Sequence, residues 1–267
     1  MAAAAVILRH MQATSFVEVR GQKTRLLDAG EGKPVVVLHG WGGRIESMAP
    51  VVDCLLTRFR VLAFDLPGFG ESPIPPTVWG TPDYALYARD VLLEAGVRKA
   101  HFIGHSFGAK TSLFLAAEHP GAVDKLVLVA SSGLRRAPSF AARAKRLASR
   151  GARAAGRLGE PGRRVRSFVY RHVASSDYRE AGALRPILVK AVNEDLSSLL
   201  SSVPASTLLV WGTEDDVVPL EHARAMERLI PDAGLVLLEG AGHFPHLDAA
   251  DAFCRIVRHF LGAPLAP

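Results

Sequence analysis

The stretch Gly104-His105-Ser106-Phe107-Gly108 constrains this chain more than any other. Ahead of it runs Ala100-His101-Phe102-Ile103, a short apolar segment with strand character. Behind it, residues 109–119 carry helical spacing and stop at Pro120. A strand that turns directly into a helix needs a very sharp bend. Glycine suits positions 104 and 108, because a Cβ at either would collide with neighbouring chain. The bend pushes the Ser106 hydroxyl out at the end of the strand and aims the N-terminus of the helix at it. That terminus has unpaired N–H groups and a partial positive charge, which suits a developing oxyanion. A bare G-x-S-x-G is common by chance. The strand before it and the helix after it are what make it a nucleophile elbow.

The rest of the chain repeats the same strand-and-helix alternation. Residues 16–19 and 24–27 read as a hairpin around Gly21. Pro34-Val35-Val36-Val37-Leu38 is a continuous apolar run, as expected of a strand buried on both faces of a parallel sheet. Helical periodicity follows over 45–58, then a strand over 59–64 and a helix over 82–93 that stops at Gly96. After the elbow, residues 125–130 form another buried strand. From Leu134 to about Val203 there are helical patterns and no strand. Strands return at 206–211 and 234–238, with helices after Pro219 and over about 249–261. The expected fold is α/β, a mostly parallel sheet covered by helices on both faces. Residues 1–134 and 204–267 build the core, and 135–203 are a helical cap inserted between two strands.

With 267 residues, 49% of them hydrophobic, the chain can bury one large core. No run of 18 apolar residues exists to span a membrane. Residues 1–8 are apolar but have neither a basic start nor a convincing cleavage site, so they read as a frayed or strand-like terminus. Cys54 and Cys254 sit far apart in apolar helical patterns and read as small buried residues, not a disulfide framework or metal pair. The cytoplasm is the expected compartment. The net charge of +6 is uneven: residues 135–171 hold twelve Lys/Arg against one acid, Glu160, leaving −5 for the remainder. Basicity therefore belongs to one segment.

A serine needs a base beside it, and the base needs a group to fix it. Both types occur downstream at strand ends, in Gly212-Thr213-Glu214-Asp215-Asp216-Val217-Val218-Pro219 and in Gly240-Ala241-Gly242-His243-Phe244-Pro245. With the elbow, His39-Gly40-Trp41-Gly42 and the Asp65–Ser72 loop, these are five segments in a specific order. Over residues 16–134 and 204–262 they resemble the α/β-hydrolase fold family, in its serine-nucleophile, capped form. The resemblance implies Ser106 as nucleophile, His243 as general base and then general acid, and Asp215 as the group that orients His243. It also implies an oxyanion hole of two backbone N–H groups, those of Trp41 and Phe107. No cofactor and no metal is implied.

Rival readings remain at several positions. Glu214 and Asp216 flank Asp215, and a carboxylate there can equally be a surface charge or a helix cap. His246 rivals His243 as base. His39 and His105 could be taken for metal ligands with His243 and His246, but no Cys, Asp or Glu stands at ligand spacing. They read instead as a loop-ordering residue and a residue packed under the elbow. Lys110 reads as a helix-face residue, and Asp65 and Ser72 as loop-ordering groups.

In the inserted segment, Arg143, Arg146, Arg150, Arg153 and Arg157 would form one stripe if helical. A solvated face is its plain reading. Attraction of an anionic substrate or an anionic membrane surface is the alternative. Nucleic acid is not expected, since few aromatics lie among the arginines. Val165, Phe168, Val169 and His172 make an apolar stripe, and residues 175–178 a helix start. Segments 176–179 and 192–196 resemble the caps of uncharacterised bacterial α/β-hydrolases.

Serine at the elbow, where dehalogenases and epoxide hydrolases of this fold carry aspartate, favours acyl transfer. The expected activity is a carboxylesterase on a small, largely apolar ester, with no obligate protein partner. C–C bond hydrolysis, a thioesterase or perhydrolysis could use the same residues. A ligand-binding receptor or scaffold with little turnover is the alternative from another class.

Overall fold

A computed structural model describes residues 14–135 and 181–262. The N-terminal apolar stretch, the arginine stripe, the apolar stripe at 165–172 and the helix start at 175–178 lie outside the described residues. Eight strands form one sheet: β1 (Thr14–Val19), β2 (Gln22–Ala29), β3 (Lys33–Leu38), β4 (Phe59–Phe64), β5 (Ala100–His105), β6 (Val123–Val129), β7 (Ser206–Gly212) and β8 (Ala233–Leu238). Their order is β1-β2-β4-β3-β5-β6-β7-β8. β1 and β2 form a hairpin, β2 pairs antiparallel with β4, and every other pairing is parallel.

The central strands alternate between two buried faces, which is why their sequences are continuously apolar. Val35, Val37, Val61, Ala63, Ile103, Val127, Val129 and Val210 share one core cluster. That cluster includes residues of α1 (Ala49–Leu55) and α7 (Ala250–Leu261). The intervening Val36, Leu38, Leu62, Phe64, Phe102, Leu126, Leu128 and Leu209 are equally buried and point to the opposite face. Helices α2 (Thr81–Glu94) and α3 (Phe107–Glu118) pack together, and α3 lies on β5 and β6. Helix α5 (Leu220–Leu229) packs on β8, and a short α6 (Pro245–Asp248) precedes α7. Among the described residues no helix is long and apolar enough to cross a membrane.

The helical pattern over 45–58 resolves into two pieces. Ile45–Met48 is a 3-10 turn and only Ala49–Leu55 is α-helical. Pro50 sits in the first turn of α1, where its missing N–H costs nothing. Cys54 on α1 and Cys254 on α7 are half-buried free thiols where these two helices pack. Their sulfurs donate to the carbonyls of Val51 at 3.3 Å and Pro50 at 3.6 Å.

The chain divides into two units, residues 1–134 with 194–267, and residues 135–193. The smaller contains a 3-10 turn, Gly182–Leu184, and helix α4 (Arg185–Asn193). Its two ends are tied together by the Arg135 guanidinium, which donates twice to the Asn193 carbonyl. Residues 194–203, assigned by their helical pattern to the insertion, belong with the larger unit. Leu196, Leu200 and Val203 are buried there, and the Leu196 N–H donates to the Gly133 carbonyl at 2.8 Å.

Candidate active site

The candidate site residues gather where β3, β5, β7 and β8 end. Ser106 lies between the last residue of β5 and the first of α3, with φ 49° and ψ −104°. A non-glycine residue held there costs on the order of 1–3 kcal/mol and persists only where its surroundings fix it. Several bonds fix it here. The Ser106 N–H donates to the Val129 carbonyl at 2.9 Å, and the Ser106 carbonyl accepts the Lys110 N–H at 3.0 Å. The same carbonyl accepts the Ser132 N–H at 3.3 Å and the Ser132 hydroxyl at 3.2 Å. The glycines permit the close approach. A Cβ on Gly104 would stand 2.5 Å from the Ala109 nitrogen, and one on Gly108 would stand 2.5 Å from the carbonyl oxygens of Leu38 and His39.

Residues 39–41 reach the same place from β3. A Cβ on Gly40 would lie 3.4 Å from the Ser106 Cβ and 2.7 Å from His105 Nδ1. The rings of Trp41 and Phe107 meet edge to face at 5.6 Å, so the two residues expected to supply oxyanion donors are neighbours. Phe107 opens α3, where a backbone N–H has no carbonyl partner within the helix. Phe69 contacts both rings, and buried Tyr84 packs on Phe107 at 5.0 Å. The result is an aromatic wall beside the serine.

His39 orders this loop. Its Nε2 accepts the Leu66 N–H at 3.0 Å, so its Nδ1 carries the proton donated to the Gly40 carbonyl at 2.8 Å. Burial pushes its pKa below the usual histidine range, which keeps the ring in that neutral tautomer. Asp65 is also fully buried and accepts the N–H groups of Ile45 and Glu71. The Ser72 hydroxyl accepts the Arg25 N–H. Both residues order loops, in keeping with their sequence context.

The acid and histidine loops are pressed together. A Cβ on Gly212 would stand 2.1 Å from the Ala241 carbonyl oxygen, and the Glu214 N–H donates to that same oxygen at 2.9 Å. The Asp215 side chain is only 1% exposed. Its Oδ1 accepts the N–H groups of Val217 at 2.9 Å and Val218 at 2.8 Å, and its Oδ2 lies 2.9 Å from His243 Nδ1. Glu214 and Asp216 are exposed. Of the three adjacent carboxylates, Asp215 is thus the one joined to His243.

His246 sits within α6, buried, with its ring 4.7 Å from that of His105. Burial lowers its pKa to about 4, outweighing the Ser47 backbone and the Asp248 charge, which both act to raise it. A ring enclosed in this way is a packing residue, and the contact with the acid belongs to His243. Among the described residues, no three His, Cys, Asp or Glu are arranged to hold a metal ion.

Two features depart from the sequence reading. Lys110 is not a helix-face residue. It is 2% exposed, and its ammonium donates to the Glu194 carbonyl at 2.9 Å. His105 does more than pack under the elbow, because its Nε2 lies 2.8 Å from the carbonyl oxygen of His243. Neither partner is near in sequence, so no local pattern could have signalled these bonds.

A mostly parallel sheet with a serine on a strained strand-to-helix turn, and an aspartate–histidine pair on later strand ends, defines an α/β hydrolase architecture. The alpha/beta hydrolase family matches residues 35–256, and the chain belongs to it. It is 30% identical to a 2-hydroxy-6-oxo-6-phenylhexa-2,4-dienoate hydrolase of Comamonas testosteroni, over 88% of this chain and 89% of that protein. It is also 30% identical to a pimeloyl-(acyl-carrier protein) methyl ester esterase of Aeromonas hydrophila, over 87% of this chain and 97% of the relative. Among solved structures, a bacterial membrane phospholipase A superposes with a TM-score of 0.76 at 24% identity, covering 97% of this chain and 91% of that one. The family and these relatives support a hydrolase.

Proposed function

We propose that the chain is a serine hydrolase that cleaves small, largely apolar carboxylic esters through an acyl-enzyme. The observation that carries this reading is the 2.9 Å bond between His243 Nδ1 and buried Asp215 Oδ2. The pair stands at the same end of the sheet as the strained Ser106 turn. Asp215 accepts the hydrogen bond donated by Nδ1–H, which holds the proton on Nδ1 and leaves Nε2 free to act as base. Ser106 Oγ attacks the acyl carbonyl and its proton passes to His243 Nε2. The oxyanion accepts hydrogen bonds from the N–H groups of Trp41 and Phe107. Collapse expels the alcohol, which takes the proton from Nε2. Water then gives a proton to Nε2 and attacks the acyl carbonyl; the bond to Ser106 Oγ breaks, and Oγ takes the proton from Nε2 as the acid leaves.

The aromatic wall of Trp41, Phe69 and Phe107 supports an apolar substrate. Phe244, beside His243 and 47% exposed, adds apolar surface at the mouth. The inserted unit is assigned the part of a lid, with a solvated face as the plain reading of its arginines and a weak attraction for anionic substrates or surfaces as the alternative. The cytoplasm is the compartment assigned with this reading.

A second reading is favoured by the relative that acts on a 2-hydroxy-6-oxo dienoate. It is cleavage of a C–C bond beside a ketone by the same residues. Turnover of p-nitrophenyl esters of graded chain length, run beside thioesters and a 6-oxo dienoate, separates the two. The ester reading expects repeated turnover that is fastest on a short or medium acyl chain. Turnover confined to the dienoate would replace it with the second reading. Binding without repeated turnover would leave a receptor.

A further inference from the structure

We infer that His105, the residue immediately before the proposed nucleophile, is a positioning residue that holds the proposed base in register with it. The inference rests on the assignment of Ser106, His243 and Asp215 made above. His105 ends β5 and pairs with Val129 of β6, so its backbone is fixed in the middle of the sheet. Its ring is 3% exposed, and its Nε2 lies 2.8 Å from the His243 carbonyl oxygen. A carbonyl only accepts, so Nε2 carries the proton and His105 is the donor.

His243 needs such a tether. It lies outside every strand and helix, between β8 and α6. Asp215 grips only its imidazole. The bond from His105 grips its backbone, and it starts from the residue covalently joined to Ser106. The distance between nucleophile and base is thereby set through a short, buried path. Misplacing a reacting group by about 1 Å can cost on the order of 10²-fold in rate.

The ring is suited to this place in a second way. Burial and the neighbouring histidines hold its pKa well below the ordinary value, so it is neutral. Its centroid is 4.9 Å from that of His243. A neutral ring at that distance does not oppose the positive charge that His243 takes up during turnover. A lysine or arginine donor in the same place would.

The test compares His105→Phe, which keeps the ring but loses the donor, with His105→Gln, whose amide nitrogen falls close to the position of Nε2. Steady-state turnover of p-nitrophenyl acetate and the rate of fluorophosphonate labelling are both measured, with melting temperatures taken alongside. His105→Phe is expected to lower kcat and the labelling rate by about 10–100-fold, with KM within about twofold, because His105 lies behind the base and not against substrate. His105→Gln is expected to recover most of that loss. Should His105→Phe fail to fold, His105→Asn, too short to reach the carbonyl, makes the same comparison against Gln. A folded Phe or Asn variant with unchanged kcat and labelling, or a Gln variant no better than it, overturns the inference. Ser106→Ala in the same assays separates the two levels. If it is inactive while His105→Phe is fully active, only the positioning role fails. If it is fully active, the triad assignment fails and this inference with it.

Discussion

Asp215→Asn is a nearly isosteric change whose effect follows from the hydrogen bonds around one side chain. Oδ1 accepts two backbone N–H groups, from Val217 and Val218, while Oδ2 faces His243 Nδ1. An asparagine cannot turn its NH2 toward Val217 and Val218, because donors would then face donors. Its oxygen must stay there, and its NH2 must face His243. Nδ1 then becomes an acceptor, the proton moves to Nε2, and the nitrogen needed as base is occupied. The loss expected is on the order of 10²–10⁴ in kcat, or about 3–5 kcal/mol of transition-state stabilisation. The fold should survive, since both backbone N–H groups keep an acceptor. Asp216→Asn is the control: that carboxylate is exposed and should cost less than about tenfold. The assay is kcat on an activated ester, with circular dichroism to establish folding. If Asp216→Asn cost more than Asp215→Asn, the tautomer argument would be wrong.

Other outcomes follow from packing and burial. Gly108→Ala puts a Cβ 2.5 Å from two carbonyl oxygens of the β3 end. It should lower stability by about 2 kcal/mol or more in urea titration and abolish labelling of Ser106, since backbone there cannot yield without moving the elbow. His246, whose pKa is about 4 when folded, should make the protein acid-sensitive. The unfolded chain takes up this proton near pH 6.5 and the folded chain only near 4. Its contribution is therefore intact above about pH 6.5 and lost as pH falls toward 4, to a limit of about 3 kcal/mol. His39, His101 and His105 are shifted in the same direction by burial. Urea titrations at pH 7 and pH 4.5 should show a smaller difference for His246→Met than for the unchanged chain; an equal difference would refute the assignment.

The sheet was legible because its central strands are buried on both faces, which leaves continuous runs such as Val35–Leu38 and Leu126–Val129. The elbow was legible because its two glycines have a steric reason that any chain making that turn must meet. Asp215 could be chosen over Asp216 only through spacing in a resembling motif, since three adjacent carboxylates look alike to local chemistry. Other features depend on distant partners. Lys110 reads as a surface residue until the Glu194 carbonyl is seen to receive it. The bond from His105 to His243 spans 138 residues and leaves no mark on either neighbourhood. Residues 194–203 group with the larger unit although Leu196, Leu200 and Val203 keep a helix-like rhythm, because these side chains are buried there.

The central claim is that Ser106 is the nucleophile. The most direct measurement is reaction with a fluorophosphonate followed by mass spectrometry of the digested protein. One adduct is expected, on the peptide containing Ser106, with stoichiometric loss of ester turnover. Ser106→Ala should take up no label and lose turnover by on the order of 10³-fold or more. An adduct on another serine, together with normal turnover in Ser106→Ala, would contradict the account.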